Sequence, residues 1–453
     1  MIKLINKKIQ QLKDKKSLFF APLKLAKITL EYEKTQGREW MYSEYKDLFY
    51  LYRNGVWKIE DSASNGNPPF QLELSVVKIL EKITPAWNQK SKINDIVRNI
   101  KYIKNDKQNL FLAENQTKKY VNVKNGMLDW KTNNLIPHDA GYQSIFQINS
   151  KFDSKASCPY WKNILKEWVP DEDSRLFLQQ FIGYLLIPDT SGQKYLILYG
   201  TGSNGKSAFI DTIIRLLNQT NVSSLDLHQF DGDEGRFSAI TIENKLANIS
   251  ADIDFSYFKK TGKLKKIISG DMITSDRKHK KSYKFKPITS FMFATNKLPK
   301  SKDTSRAWYR RFEIIEFPNH FKNDHNKIGE ISTNIEKELS GILNWALEGL
   351  RLYKKHGWLI SNKMKSLKNE YIRYNNPIKA FIDDEIIITK NMDDDLIPTG
   401  HVYEKYKEWC KANCFEVESI HKLSRTFTSQ GVVSSPERIG GSTHRHYHGI
   451  KLK

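Results

Sequence analysis

Eight consecutive residues constrain this chain more than any others. Gly200-Thr201-Gly202-Ser203-Asn204-Gly205-Lys206-Ser207 fits the pattern G-x-x-x-x-G-K-[ST] with no departure. An apolar run, Tyr195–Tyr199, leads into it, and a helical pattern, Ala208–Leu217, follows. Glycines at these positions let successive backbone N–H groups turn inward around an anion. A helix that begins at Lys206 aims the positive end of its dipole at the same point. In that arrangement Lys206 reaches the β- and γ-phosphates of ATP and the Ser207 hydroxyl holds Mg²⁺. A strand, a phosphate loop and a helix in succession also predict an α/β fold, because such a unit packs into a largely parallel sheet.

Three later features fit the same site. Leu246–Ile249 reads as a short strand leading to Asp252 and Asp254, although Asn248 and Ser250 are polar for a buried strand. A strand ending in carboxylates suits a metal-orienting acid: Asp252 is the expected Mg²⁺ ligand, and Asp252 or Asp254 polarises the attacking water. A second apolar strand, Phe291–Ala294, ends at Asn296, whose amide can touch the γ-phosphate or the lytic water. Trp308-Tyr309-Arg310-Arg311 then supplies arginines that can act in trans on a neighbouring subunit's nucleotide. Each feature alone has a plainer reading: acids in a solvated loop, an Asn ending a strand, a basic surface turn.

Charge bears on the partner. Lys and Arg number 73 against 51 Asp and Glu, a formal net charge of +22. A chain this basic suits a polyanion; nucleic acid leads and an anionic membrane surface comes second. There is no run of about 18 apolar residues to span a membrane. The basic segment Met1–Lys16 has no apolar stretch of the kind a secretory signal needs. Cys158, Cys410 and Cys414 are too few for a disulfide framework, which predicts a cytoplasmic protein. The length, 453 residues, predicts two to four domains.

The order of these elements resembles superfamily 3 helicases. The resemblance is to the poxvirus-type and phage/plasmid primase-helicase group, including replication initiators of phage-inducible pathogenicity islands. It extends beyond the phosphate loop, from about residue 45 to about residue 320. Tyr52–Trp57, Lys124–Asp129 and Pro137-His138-Asp139 look like the region before the helicase domain in that group. Cys158–Trp161 and Phe181–Leu185 look like the lead-in to the phosphate loop, and Gly270-Asp271 and Ala294–Asn296 like later blocks. The resemblance implies an AAA+-like P-loop NTPase core assembled as a homo-oligomer, a hexameric ring, with ATP between neighbours and single-stranded DNA in the pore. It implies that Lys206, Ser207, Asp252, Asn296 and Arg310 or Arg311 take the catalytic positions. Ala251 departs from the paired acids of many relatives, which leaves open which carboxylate positions water. The group also implies a pore hairpin between Asp252 and Asn296. Here Arg277-Lys278-His279-Lys280-Lys281 and Tyr283 offer cations for the DNA backbone and an aromatic ring for stacking on bases. No zinc-ribbon cysteines and no paired-carboxylate polymerase site are evident, so no primase activity is expected.

The C-terminal residues predict a second DNA-binding unit. Thr399 is placed to cap a helix carrying Val402, Tyr406 and Trp409 on one face, and Ser419 a second helix with Leu423 and Phe427 inward. His421, Lys422 and Arg425 would face outward, and Arg438, Gly440-Gly441 and Arg445–Tyr447 would form a glycine-tipped hairpin. In outline this is a winged helix that contacts double-stranded origin DNA through Lys422, Arg425 and Arg445; a small packing domain is the plainer alternative. The expected organisation is an α+β N-terminal domain over 1–150, the ATPase over 151–345, a helical connector over 346–394 and the winged helix over 395–453. The function expected is that of an ATP-dependent DNA helicase and replication initiator of a mobile element, moving 3′→5′ with no membrane partner. An ATP-switched origin-binding protein that melts DNA without translocating is the alternative, and an ATPase of packaging or partition is a third.

Overall fold

The computed structural model describes residues 2–13, 20–60, 69–109, 115–230, 238–251, 258, 260–275, 282–321, 325–389, 392, 395–439 and 442–453. The chain opens with helices α1 (Ile2–Lys13) and α2 (Pro22–Thr35). An antiparallel meander follows, β1 (Glu39–Ser43), β2 (Leu48–Arg53) and β3 (Val56–Ile59), then α3 (Phe70–Ile83) and α4 (Lys90–Ile103). The predicted hairpin turn is present, with Asn54 at φ 53° and Gly55 at φ 81°, the left-handed pair that a two-residue hairpin loop requires. These helices and one meander face share a core built on Leu25, Trp40, Phe49, Val76 and Ile100. The Glu33 carboxylate is sealed inside it and accepts from Arg38 Nε and Nη2 at 2.8 Å each, and from Trp40 Nε1 at 2.6 Å.

A second meander, β4 (Tyr120–Val123), β5 (Gly126–Asp129) and β6 (Asn134–Ile136), joins a different core. Its Val121, Val123, Leu128 and Trp130 pack with residues of α5 (Pro159–Trp168), α6 (Glu172–Tyr184) and α7 (Lys206–Leu217). The region before residue 150 therefore splits, its first half forming a core of its own and its second half lying against the central sheet.

That sheet is five-stranded and wholly parallel, in the order β13-β7-β12-β9-β8. Its strands are β7 (Tyr195–Tyr199), β8 (Val222–Ser223), β9 (Ala247–Ser250), β12 (Ser290–Thr295) and β13 (Phe312–Glu316). Between them run α8 (Ser238–Ile242), α9 (Gly262–Ser269), the antiparallel pair β10 (Ile273–Ser275) and β11 (Tyr283–Phe285), and the short α10 (Arg306–Tyr309). Both faces of the sheet are covered. Leu196, Leu198, Met292, Ala294 and Ile315 face one core, whereas Tyr195, Ile197, Phe291, Phe293 and Ile314 face another. In β7 and β12 alternate residues serve opposite cores, so these two strands read as apolar runs.

Asn248 is one of the polar residues buried inside the sheet, and its amide is hydrogen-bonded at both ends. It accepts from Ser223 Oγ at 2.9 Å and Leu225 N at 2.8 Å, and donates to Leu225 O at 2.8 Å. The polarity that weakened the strand pattern is thus a buried amide tying β9 to the segment after β8.

Helix α11 (His325–His356) crosses α6 at close range. A Cβ on Gly349 would lie 1.9 Å from Gln179 O, and one on Gly183 2.1 Å from Ala346 O, so only glycine permits this approach. After α12 (Asn362–Asn375), helix α13 (Pro377–Glu385) enters a fourth core. The remaining elements are β14 (Ile386–Ile388), β15 (Leu396–Pro398), α14 (Thr399–Ala412), α15 (Ile420–Ser429), β16 (Val433–Ile439), β17 (Ser442–His448) and β18 (Ile450–Leu452). Ile378, Phe381 and Ile382 of α13 pack with Val402, Tyr406, Leu423 and Phe427, so this core begins well before residue 395. Three strands pair in the order β15-β17-β16 beside α14 and α15. Ser419 caps α15, its side chain accepting from Lys422 N at 3.4 Å. Thr399 is not a cap: the residue before α14 is Pro398, with no side-chain cap bond.

Candidate functional site: a phosphate loop at the edge of the parallel sheet

In an open parallel sheet, ligands bind outside the carboxyl ends of the strands, where strand-to-helix loops leave a crevice. The loop between β7 and α7 sits at that edge. Gly202 (φ 106°), Ser203 (φ 49°) and Gly205 (φ 89°) turn the backbone through left-handed space. A cavity of about 570 Å³ opens over Gly202–Ala208, and Ala251, Asn296, Ile164, Trp168 and Ile335 also line it. That size suits a nucleotide-scale ligand.

The loop is held from below by contacts the sequence did not reveal. The segment leaving β13 runs beneath it: Phe321 N donates to Ser203 O at 2.7 Å, and His320 Nδ1 lies 3.1 Å from Gly202 O. Asn204 is buried and donates to Phe317 O at 3.2 Å. Trp168 forms a wall, since a Cβ on Gly205 would lie 2.4 Å from its ring. Helical spacing marks Trp168 as a core residue, and no local pattern signals that it abuts the phosphate loop.

Lys206 is 6% exposed. Its ammonium donates to Gly200 O at 2.6 Å, Asn204 Oδ1 at 3.1 Å and Asn296 Oδ1 at 3.0 Å. Two of these oxygens belong to the loop itself, and the third comes from the end of β12, 90 residues further along the chain. Thr201 and Ser207 are exposed, and Ser207 lines the cavity in the first turn of α7. The strand order explains Asn296: β12 lies directly between β7 and β9, so its carboxyl end emerges beside the loop. Asp252 and Asp254 lie outside the described residues; Ala251, which follows β9, lines the cavity.

The arginine pair separates. Arg311 is buried, donating through Nη2 to Ser269 Oγ at 2.8 Å and through Nη1 to Ala307 O. Burial, with Arg310 beside it, lowers the basicity of its guanidinium. Arg310 is exposed. Of the two expected finger residues, Arg311 is fixed within its own chain.

Residues 26–170 match the family described as "D5 N terminal like". Residues 198–311, from the end of β7 to Arg311, match a family of unknown function, DUF5906. Over 382 residues the chain is 24% identical to a protein of Acanthamoeba polyphaga mimivirus named "putative helicase"; the alignment covers 72% of this chain and 38% of that protein. The chain thus spans well under half the length of that relative. Among solved structures, the apo A form of the NrS-1 C terminal region aligns with a TM-score of 0.51 and 15% identity, covering 93% of this chain and 98% of that one. That likeness extends the shared architecture over nearly the whole chain.

The expected DNA-contact residues fall in two places. Arg277, Lys278, His279, Lys280 and Lys281 lie outside the described residues, between β10 and β11. Tyr283, at the start of β11, is engaged within the molecule rather than presented for base stacking. Its hydroxyl donates to Glu243, and its ring packs edge-on against Tyr45 with centroids 5.5 Å apart. Tyr45 in turn donates to Lys284 O, and the buried Lys46 pairs with Glu243 at 2.9 Å. The N-terminal meander is therefore clasped to the base of the β10–β11 pair. In the C-terminal unit Lys422, Arg425 and Arg445 are all exposed, and Lys422 pairs with Glu418 at 2.5 Å. No described helix is long and apolar enough to cross a membrane.

Proposed function

We propose that this protein is an ATP-dependent DNA helicase and replication initiator of a mobile genetic element, working as a hexameric ring of AAA+-like subunits. The observation that carries this reading is the convergence of the Gly200–Ser207 loop, the buried Lys206 ammonium and Asn296 on one cavity at the carboxyl edge of a parallel sheet. The name of the mimivirus relative points the same way.

In this reading the loop N–H groups wrap the phosphates, and Lys206 exchanges its present oxygens for those of the β- and γ-phosphates. Release from Lys206 frees the Asn296 amide to orient the lytic water. Magnesium, held by Ser207 and Asp252, would neutralise the charge gathered on the phosphate oxygens. The exposed Ser207 hydroxyl on the cavity wall fits that role. Arg310, exposed at the end of α10, is the arginine offered to a neighbour's nucleotide. Arg277–Lys281 contact single-stranded DNA in the pore. The C-terminal unit is a winged helix: α15 enters the major groove of origin DNA, and the β16–β17 hairpin, bearing Arg445, lies on the backbone.

The test is unwinding of forked DNA with a 3′ tail, a 5′ tail or none. The wild type unwinds the 3′-tailed fork in the presence of ATP and Mg²⁺, and Lys206→Ala does not. Unwinding by Lys206→Ala at the wild-type rate would sink the assignment.

A further inference from the structure

A second cation site lies at the opposite end of β9 from the nucleotide cavity. Lys245 precedes β9 and Ala251 follows it, a span of six residues, or about 20 Å at strand rise. Lys245 Nζ donates to Thr220 O at 2.7 Å. Lys58, on β3 of the N-terminal meander, donates to the hydroxyl of the same threonine at 2.7 Å. Two ammonium groups from separate modules thus meet on one residue, at the seam between meander and parallel sheet.

What sets them apart is that two ammonium groups share one neutral residue. Several well-covered lysines face a carboxylate: Lys46 with Glu243 at 2.9 Å, Lys368 with Glu313 at 3.0 Å, Lys265 with Asp303 at 2.6 Å. Lys58 and Lys245 are each half-buried and have no carboxylate within ion-pair reach among the described residues. Desolvation lowers the basicity of both, and Lys245 lowers that of Lys58 further. Partial desolvation and mutual repulsion both disfavour this arrangement, and an anion seated between the two ammonium groups relieves both. In a chain of net charge +22, the polyanion that meets such a pair is nucleic acid.

We infer that Lys58 and Lys245, brought together on Thr220, form a phosphate-binding site for the backbone of a nucleic acid strand, at the seam of the N-terminal and ATPase modules. The strand would be gripped there at a point remote from the nucleotide, with no base read. The site owes nothing to the ATP reading, and its test needs no nucleotide.

The experiment is fluorescence anisotropy with a labelled oligothymidylate and a duplex of equal length, across a salt series. It uses the full chain and the double variants Lys58→Gln/Lys245→Gln and Lys58→Arg/Lys245→Arg. Neutralising the pair weakens binding roughly three- to tenfold at low salt and flattens the log–log salt dependence by about one, as the loss of a phosphate contact predicts. The arginine pair restores affinity and slope, which a purely structural role for the lysines would not require. The probe that loses more affinity identifies single strand or duplex as the occupant. Unchanged affinity and slope in the glutamine variant would overturn the proposal. It would equally be overturned if inorganic phosphate raised the melting temperature of the wild type alone while DNA affinity stayed the same in both.

Discussion

The cavity over the Gly200–Ser207 loop and the C-terminal unit hold their cations in opposite ways. Lys206 is buried and fixed by three oxygens, two from its own loop and one from the end of β12, whereas Arg425 and Arg445 stand in solvent on one helix and one hairpin. The first arrangement suits a small ligand whose phosphates must arrive at set positions. The second suits a polyanion whose phosphates are many and interchangeable. It follows that single changes at the cavity should be severe and specific, and single changes on the C-terminal face mild and salt-dependent.

The arginine pair tests this contrast most sharply. Arg310→Ala should lower ATP turnover by about 10³-fold, the scale of an arginine finger, and leave stability within about 0.5 kcal/mol. Arg311→Ala should instead destabilise the fold by about 1–3 kcal/mol, because Ser269 and Ala307 lose a buried donor. Turnover and urea melts on both variants read the two effects apart; a reversed pattern would exchange their roles. Gly205→Ala comes next. It forces a side chain into φ 89° against Trp168, and nucleotide affinity measured by calorimetry should fall about 100-fold, or ~2.7 kcal/mol.

A smaller effect appears in acid. Burial alone would raise the Asp189 carboxyl, but Lys118, Lys354 and Ser191 outweigh it and hold it well below the usual carboxylate range. Asp303 is held low in the same way, burial being outweighed by Lys265, Ser305 and Thr261. A depressed carboxylate contributes stability above its unfolded pKa, about 4, and loses it as pH falls below that. Melting temperature should therefore drop on acidification below pH about 4, and drop less in Asp189→Asn, which has no carboxylate to protonate. The mildest change is Arg425→Ala: duplex affinity falls roughly threefold, with a salt slope shallower by about 0.9. A loss of more than a hundredfold would mean that this face is as tightly organised as the cavity.

The cavity was legible in the sequence where its chemistry is local. Gly200–Ser207 and its flanking strand and helix declare themselves because each glycine and the lysine sit at fixed offsets. The strand ending at Asn296 was legible for the same reason, although only the strand order shows that Asn296 meets Lys206. What remained hidden depends on distant partners. Nothing near Arg311 in sequence shows that Ser269 buries it, and nothing near Tyr283 shows that Glu243 and Tyr45 engage it. The C-terminal boundary was misplaced because α13 reads as one more amphipathic helix. Its assignment rests on contacts with α14 and α15, so a deletion at residue 395 would cut through the fourth core.

Steady-state ATP hydrolysis with and without single-stranded DNA, for the wild type and for Lys206→Ala of matched circular dichroism, tests the central claim most directly. The account predicts that DNA stimulates turnover in the wild type and that Lys206→Ala retains less than about one hundredth of it, as the loss of a transition-state contact worth ~2.7 kcal/mol requires. Equal turnover in the two proteins would contradict it.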